Sequence, residues 1–472
     1  MQAKKDIKIK NSSVSGNTPE QTSFDAMIEQ IRLVFSEFPD PRRGKNKTYS
    51  MLDAALGAFA VFFTQSPSFL AHQSHMKKTR GQSNADTIFR MSDIPTDAQI
   101  RSLLDHTPPE TVYPAFDAIY DQMVSRDMLE PYKSLNGGLL IALDGVHTHS
   151  SEKIHCKNCS VREHKDGRKD YGHSAVMPAL MTPLNSKAIP LRPEFVVPQD
   201  GHEKQDCEIA AAKRWLLKHA DYYKVADTPT TYLGDDLYAH EPFCRKVIER
   251  EEYFIFTCKT ASHKALYEWL EPLEEDLDIG SVTKRKRNAK GHWETHKVRY
   301  ASDLPLTDSS EALRVGWLEL VVKNSEEKEI YRNSWITNWG ITDENALAIA
   351  EAGRSRWNIE NGNNNTLKTK GYHLEHNFGH GKKHLSNLLV ALNILAFLLH
   401  TLLDETDRNY KMVRDALPSR KTFFEHLRAL TTYICFPTWD AMIDFMMQGL
   451  EIGPYEPRPG KTAKTPRRKA PR

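Results

Sequence analysis

Two short apolar segments, each followed by an aspartate, place the strongest constraint on how this chain folds. GLLIAL, residues 138–143, precedes Asp144, and TTYLG, residues 230–234, precedes Asp235. Each segment is bounded by a glycine and is too short for an ordinary helix, so each is typical of a buried strand. Ligands of open α/β sheets bind beyond the carboxyl ends of the strands. The two segments therefore predict an α/β protein with an acidic site at one edge of its sheet.

The segments around the two aspartates predict a definite order of elements. The candidates are strands at 138–143, 175–182, 188–198, 230–234 and 253–258, with a turn at 184–186, and helices at 206–219 and 242–250. The resulting order is strand, strand, strand, helix, strand, helix, strand, which is that of an RNase H-like mixed sheet with flanking helices. In that fold the first and fourth strands are neighbours, so Asp144 and Asp235 would meet.

Apolar spacing divides the rest of the chain into further segments. We expect disorder over 1–20, a helical N-terminal domain with a DNA-binding role over 21–135, a catalytic core over 136–258, a β-rich insertion over 259–340, the C-terminal helices of the core over 341–450, and a basic disordered tail over 451–472. Asp343 is expected to cap a long helix that reaches about Thr369. The tail composition is typical either of phosphate contact or of a solubilising segment.

Charge, cysteine content and hydropathy exclude several protein classes. The net charge of +2 means that any contact with nucleic acid must come from local basic clusters, such as 284–290, whose alternative interpretation is a solvated loop. Six cysteines in 472 residues do not make a disulfide framework. The longest apolar run, 385–403, is interrupted by polar residues, which favours a buried helix over a membrane span. We therefore expect a cytoplasmic protein without a membrane segment.

A third acidic residue, Glu360, is expected on the long helix. Arg356, Asn364 and Lys368 lie at steps of four residues from it, and the intervening run of asparagines with Gly362 is poor in helix formers. Departures of this kind are common at functional sites. The alternative is an ordinary Arg–Glu surface pair followed by a loop. Three carboxylates suit hard cations such as Mg²⁺, and two such ions about 3.5–4 Å apart cleave phosphodiesters.

Three blocks carry a resemblance to a known family. They are IALDG around Asp144, YLGDDLY around Asp235, and RWNIE followed by NNNTLKTKGYHLEHNFGHG around Glu360. Together they resemble the DDE transposases of bacterial insertion sequences that carry a β-rich insertion before the glutamate. The resemblance covers about 139–403. Gly353 and Leu367 stand where that family has a tyrosine and a lysine, so Lys368 or Lys370 is expected to replace the lysine.

The resemblance implies a cut-and-paste or copy-out DNA transposase. Its reaction would be nicking by water at the transposon ends, followed by attack of a 3′-hydroxyl on target DNA. It implies catalysis by two Mg²⁺ ions, for which Mn²⁺ is expected to substitute, held by Asp144, Asp235 and Glu360. Its partners would be double-stranded DNA with terminal inverted repeats, target DNA, and a second copy in a synaptic complex near the nucleoid. The residues expected to bind DNA phosphate are Arg356, Asn364, Lys368 and Lys370.

Two alternative functions remain open from the sequence. One is an RNase H-like endonuclease without strand transfer, and the other is an inactive, zinc-containing DNA-binding protein. The identity of the second acid is also open, because Asp236 adjoins Asp235 and because Asp200 and Asp206 are competitors. We select Asp235, since Asp200 and Asp206 are more typical of a loop and of a helix start.

A possible structural zinc site follows the first predicted strand. Cys156 and Cys159 form a CxxC motif, and His164 and His173 follow, with His155 as an extra candidate. Two cysteines and two histidines can hold Zn²⁺ tetrahedrally. The alternative is a pair of reduced thiols in a polar surface loop. A zinc ion at this site would stabilise the segment that connects the first two predicted strands.

Overall fold

The structure of the protein is a computed structural model. It describes residues 24–43, 47–76, 83–198, 206–226, 228–275, 279–288 and 290–453. The predicted disorder over 1–20, and the basic tail beyond residue 453, lie outside the described residues.

Mixed α/β architecture is confirmed by a nine-stranded sheet in the order β10-β11-β12-β13-β9-β8-β1-β5-β6. The strands are β1 (Leu140–Ala142), β2 (Gly145–Ser151), β3 (Ser160–Glu163), β4 (Lys169–Val176), β5 (Ala179–Met181), β6 (Ile189–Pro190), β7 (Glu194–Phe195), β8 (Thr231–Gly234), β9 (Tyr253–Thr257), β10 (Gly280–Arg287), β11 (Trp293–Pro305), β12 (Arg314–Lys323) and β13 (Glu329–Thr337). Strands β1, β8 and β9 are parallel, whereas β5 is antiparallel to β1 and β6 is antiparallel to β5.

A second, smaller sheet explains why the predicted strand at 175–182 is divided. Strands β2, β4 and β3 pair in that order, and β7 joins β4; we call these four strands the hairpin sheet. The chain passes from β4 in the hairpin sheet to β5 in the main sheet through Met177 and Pro178. Proline has no amide to donate to a strand ladder, so the prediction of one continuous strand is wrong at this point. The strand predicted at 188–198 is likewise observed as β6 and β7.

The β-rich segment between 259 and 340 does not form a sheet of its own. It begins with a helix, and its last strand, β13, pairs antiparallel with β9 of the core. Strands β10 to β13 therefore extend the main sheet on the side away from β1. The β-rich character of this segment was predicted. The pairing of β13 with β9 was not, because strand pairing between distant segments leaves no local sequence signal.

The helices cover the main sheet and form a second layer of core. They are α1 (Phe24–Ser36), α2 (Met51–Phe63), α3 (Phe69–Met76), α4 (Asn84–Phe89), α5 (Asp97–Leu104), α6 (Tyr113–Ser125), α7 (Glu208–Lys218), α8 (Glu241–Ile248), α9 (Lys264–Glu275), α10 (Ala346–Ser355), α11 (Asn365–Thr369), α12 (Leu385–Thr406), α13 (Arg408–Ala416), α14 (Arg420–Tyr433) and α15 (Trp439–Gly449). Helix α12 contains the longest apolar run, and 89% of its apolar window is buried, so the predicted buried helix is confirmed.

The N-terminal helices share their core with the C-terminal helices. Helix α2 is apolar on nearly all sides and lies against α12. Phe24 of α1 stacks on Trp439 of α15 at 4.5 Å, and Phe63 lies 4.3 Å from His400. The helical character of 24–125 is as predicted, but these helices do not form a separate domain. A helix that is apolar all round requires cover from elsewhere in the chain.

The helical segment that carries Glu360 is interrupted. Helix α10 begins at Ala346 with Asn345 as its N-cap, whereas Asp343 accepts a hydrogen bond from the Tyr300 hydroxyl at 2.6 Å. The prediction that Asp343 caps one long helix is therefore wrong. Between α10 and α11 the residues Ile359–Asn364 form a π-helical turn. Turns of this type are frequent at functional sites.

Candidate metal sites

Asp144 and Asp235 follow neighbouring parallel strands in the same register. Ala142 of β1 is paired with Leu233 of β8, and the Leu143 amide donates to the Leu233 carbonyl oxygen at 2.8 Å. Each aspartate stands two residues beyond that pair. Neighbouring strands are about 4.8 Å apart, so the register brings the two carboxylates to one point at the sheet edge.

Of the adjacent residues Asp235 and Asp236, Asp236 has a structural role. Its Oδ1 accepts a hydrogen bond from the Lys259 amide at 2.7 Å, and its Oδ2 accepts one from the Ser262 hydroxyl. His263 lies 3.4 Å from the same carboxylate. Asp236 therefore anchors the loop after β9, whereas the charge of Asp235 acts on Asp144. These contacts agree with the choice of Asp235 as the candidate ligand.

The competitor Asp206 also has a structural partner. Arg214 donates to both of its carboxylate oxygens, at 2.9 and 2.7 Å, and the Val197 amide donates to one of them at 2.9 Å. Helix α7 begins two residues later, at Glu208. Asp206 thus ties the start of α7 to the end of the hairpin sheet. Asp200 lies outside the described residues.

A fourth carboxylate, Glu208, belongs to the same site and was not predicted there. It accepts hydrogen bonds from the Tyr238 hydroxyl at 2.8 Å and from the Gly145 amide. A methyl group on Gly145 would overlap the Glu208 carboxylate, which explains the glycine beside Asp144. Burial, followed by the charge of Asp235, raises the pKa of Glu208. In the sequence Glu208 has only the signature of an acid in a first helical turn, which is common.

The third predicted acid, Glu360, lies at the start of the π-helical turn. Its Oε1 accepts a hydrogen bond from Arg356 at 2.7 Å, and its side chain is 48% exposed. The turn packs so tightly on the connection between β5 and β6 that a methyl group on Gly362 would overlap the Ser186 carbonyl oxygen. The glycine that weakens the helical pattern is therefore required by this close approach.

Asn364 connects this turn to the sheet edge. Its amide nitrogen donates to Oδ2 of Asp144 at 2.6 Å, and its own oxygen accepts from Asn363 at 2.9 Å. Both asparagines are buried. The structure thus places the Asn364 side chain on a candidate metal ligand, and contact with DNA phosphate stays a prediction.

The acid site, which we define as Asp144, Glu208, Asp235 and Glu360, is electrostatically unbalanced. Burial raises the pKa of Asp144 to about 7, and the charges of Glu208, Glu360 and Asp235 add to this rise, whereas Arg356 opposes it. The four groups therefore lie close enough for their charges to interact. Hard divalent cations favour carboxylate oxygens, so the chemistry of these residues suits Mg²⁺. Among the described residues, however, only the cysteines and histidines described below bring three or more possible ligand atoms within 4.8 Å of one another.

The other residues that were predicted to contact DNA differ in their surroundings. Arg356 is largely buried and its charge acts on Asp144. Lys368 forms an ion pair with Glu375 at 2.8 Å, and Lys370 is exposed after the end of α11. In β10, Arg285 and Arg287 lie over the Trp293 ring, at 5.2 and 4.9 Å. Binding of DNA by these residues stays a prediction.

A second cluster of possible metal ligands lies in and beside the hairpin sheet. Its members, which we call the Cys–His cluster, are Cys156, Cys159, His173 and His380, whose ligand atoms lie within 4.8 Å of one another. Cys156 and Cys159 follow β2, His173 lies in β4, and His380 comes from the connection between α11 and α12. The hydrogen bond with Cys159 lowers the pKa of the Cys156 thiol. This set could hold a metal such as zinc.

The prediction of His164 as a zinc ligand is wrong. Its Nε2 contacts Oδ2 of Asp170 at 2.6 Å, across the turn between β3 and β4. His155 stacks on the Tyr171 ring at 4.3 Å. The fourth position is taken by His380, which is more than 200 residues away in sequence from the cysteines. No local spacing rule could have identified it.

Comparisons with known proteins do not identify the function of either site. No family model matches the chain, and no curated protein matches it either. The two clusters are therefore interpreted from their own chemistry.

Proposed function

We propose that this protein is a DNA transposase that cleaves and joins DNA with divalent cations held by Asp144, Asp235 and Glu360. The observation that carries the proposal is the shared register of Asp144 and Asp235 on neighbouring parallel strands, with the charge of Glu360 acting on Asp144. Within the described residues, the charges of Asp235 and Glu360, from distant parts of the chain, act on the buried Asp144, and Arg356 opposes them. Burial of a carboxylate beside other acids is costly, and a bound cation would relieve that cost.

The strand order supports an RNase H-like core as the scaffold of this site. Strands β6, β5, β1, β8 and β9 are neighbours in that order, and within this set only β5 runs antiparallel to β1. The two predicted neighbours, the first and fourth core strands, correspond to β1 and β8. The acids stand at the carboxyl ends of these strands, where open sheets place their ligands.

Each residue of the site has a role in this proposal. Bound Mg²⁺ would activate the attacking water or 3′-hydroxyl and stabilise the charge that develops on the phosphate. Asp144, Asp235 and Glu360 would hold the cations, and Asn364 orients Asp144 through its 2.6 Å hydrogen bond. Glu208 fixes the backbone after Asp144 through the Gly145 amide. Arg356, once released from Glu360, would bind a phosphate oxygen.

Double-stranded DNA is the proposed partner, with self-association of the protein at the paired transposon ends. A groove lined by Gly145, Glu208, His147, Ser174 and Arg162 runs from the acid site along the hairpin sheet. We assign this groove to one DNA strand. We also assign Zn²⁺ to the Cys–His cluster as a structural metal, because no residue of that cluster belongs to the acid site.

The test uses the full-length protein and labelled DNA from the sequences that flank its coding region. Wild-type protein should nick these ends and join them to a target plasmid in Mg²⁺ or Mn²⁺, and EDTA should abolish both reactions. Asp144→Asn should lower the nicking rate at least about a thousandfold, since several kcal/mol of transition-state stabilisation would be lost. Nicking without joining would identify an endonuclease instead. A wild-type nicking rate in Asp144→Asn would disprove the assigned site.

A further inference from the structure

The Cys–His cluster joins the two parts of the chain that supply the acid site. Strand β1 continues through Asp144 into β2, and Cys156 and Cys159 follow β2 directly. His380 follows the π-helical turn that carries Glu360 and the helix α11 behind it. One ion bound to all four ligands would therefore hold the Asp144 side of the site to the Glu360 side.

Four of the six distances between ligand atoms of the cluster are close to those of a tetrahedral zinc site, and the other two are at most 4.8 Å. Zn–S bonds of about 2.3 Å and Zn–N bonds of about 2.0–2.1 Å give ligand separations of about 3.8 Å for two sulfurs and about 3.6 Å for sulfur and nitrogen. The Cys156 and Cys159 sulfurs are 3.9 Å apart. His173 Nε2 lies 3.5 and 3.4 Å from them, and His380 Nε2 lies 3.5 Å from the Cys159 sulfur.

Within the described part of the chain, a side-chain hydrogen bond and a ring contact also connect the hairpin sheet region to the segment that bears His380. The Asn158 side chain, between the two cysteines, donates to the Lys383 carbonyl oxygen at 2.6 Å. On its other side this segment is fixed by Asp105, which accepts hydrogen bonds from the amides of Lys382 and Lys383 at 3.0 Å. The His149 ring packs 4.5 Å from that of His380. His380 is thus held towards the cysteines from several directions.

We propose that the Cys–His cluster binds one Zn²⁺ through Cys156, Cys159, His173 and His380, and that this ion fixes Glu360 and Asn364 relative to Asp144. Metal binding takes the two thiols to thiolates and releases their protons to solvent. The metal-binding part stands on the cluster alone, whereas the positioning part rests on the proposed function of the acid site. Zinc here acts as a clamp that sets the geometry of a separate magnesium site.

The first experiment measures zinc content and coordination. Wild-type protein should contain one zinc per chain, and replacement by Co²⁺ should give the visible absorption bands of a tetrahedral site with two thiolates. Cys159→Ser should lose the metal, and His380→Ala should weaken Zn²⁺ affinity at least about tenfold. His164→Ala is the matched control, because this nearby histidine pairs with Asp170 outside the cluster. Unchanged zinc affinity in His380→Ala, or a wild-type protein that takes up no zinc, would overturn the assignment.

The second experiment tests the clamp. Hydrogen exchange of amides over 359–380 should accelerate in His380→Ala but not in His164→Ala, and the Mg²⁺-dependent nicking rate should fall at least tenfold in the former. Exchange and nicking that stay at wild-type levels in a zinc-deficient His380→Ala protein would refute the clamp and leave the transposase proposal intact. If wild-type protein does not nick DNA at all, the transposase proposal fails, and hydrogen exchange alone decides whether zinc orders this segment.

Discussion

The Cys–His cluster and the acid site each bring together four side chains of types that can bind metals, but they differ in how the side chains are arranged without a metal. The four ligand atoms of the cluster lie within 4.8 Å of one another, and the sulfur of Cys159 lies 3.4–3.9 Å from the other three ligand atoms. In the acid site, Asp144 is turned to Asn364 and Glu360 is turned to Arg356. The cluster would need little rearrangement to bind an ion, whereas Glu360 would have to leave Arg356 to bind a cation beside Asp144.

Ligand charge explains this difference. Neutral histidines and thiols that share protons can be packed together without strong repulsion. Four carboxylates cannot be buried as cheaply: burial first, and then the charges of the neighbouring acids, raise the pKa values of Asp144 and Glu208. The Cys–His cluster can therefore be assembled by folding alone, whereas burial of Asp144 and Glu208 beside other acids is unfavourable, and a cation bound according to the proposed function would relieve that cost.

The largest expected effect separates the two adjacent aspartates of the acid site. Asp235→Asn should lower the Mg²⁺-dependent nicking rate at least about a thousandfold, because a cation ligand is lost. Asp236→Asn should remain within about tenfold of wild type, because an asparagine oxygen can still accept the Lys259 amide hydrogen bond. Single-turnover nicking of labelled DNA measures both rates.

Zinc content supplies the control for this pair of variants. Both proteins should keep one zinc per chain, since neither aspartate contacts the Cys–His cluster within the described residues. If Asp236→Asn is the inactive variant and Asp235→Asn is active, the assignment of the second ligand is reversed.

An intermediate effect is expected on stability, and it depends on pH. Burial raises the pKa of Asp144 to about 7, so between about pH 4 and pH 7 the folded protein retains a proton that the unfolded chain has lost. Stability of the metal-free protein therefore falls as the pH rises through this range, and above pH 7 the full penalty remains. Asp144→Asn carries no charge at any pH and escapes the penalty.

Thermal unfolding in EDTA measures this effect. Asp144→Asn should unfold at a higher temperature than wild type by on the order of 2–4 °C at pH 8.5, and by about half as much at pH 5.5. Mg²⁺ should raise the unfolding temperature of wild type but not that of the variant. A metal-free Asp144→Asn protein that is less stable than wild type at pH 8.5 would show that the acid site carries no stored repulsion. Removal of Cys159 should act oppositely and lower stability.

The part of each site that the sequence predicted is the part encoded locally. Asp144 and Asp235 were found because short apolar runs ending in acids are visible in a few residues. Cys156, Cys159 and His173 follow a similar rule of spacing. His380 was missed because its partners are more than 200 residues away, and Glu208 was missed because its sequence context is that of an ordinary helix start.

In the fold, too, only the features that are encoded locally were predicted. Strands β1, β8 and β9 and helices α7, α8 and α12 were predicted within a few residues, because their apolar pattern is local. The pairing of β13 with β9 and the packing of α2 on α12 were not, because both depend on which distant surfaces bury each other. The π-helical turn was signalled only indirectly, by asparagines and a glycine that weaken a helical pattern.

The smallest expected effect concerns the π-helical turn. It tests how strongly nicking depends on the exact position of Glu360, which should not affect metal binding by the Cys–His cluster. A methyl group in Gly362→Ala would overlap the Ser186 carbonyl oxygen and displace the turn, at a cost of about 1–3 kcal/mol in unfolding free energy. We expect nicking to fall about tenfold to a hundredfold while zinc content is unchanged. Gly340→Ala, where a methyl group meets open space, is the matched control and should leave nicking and stability within error. Denaturant unfolding and single-turnover nicking measure the two quantities. Equal behaviour of the two variants would mean that the close approach at Gly362 has no bearing on the position of Glu360.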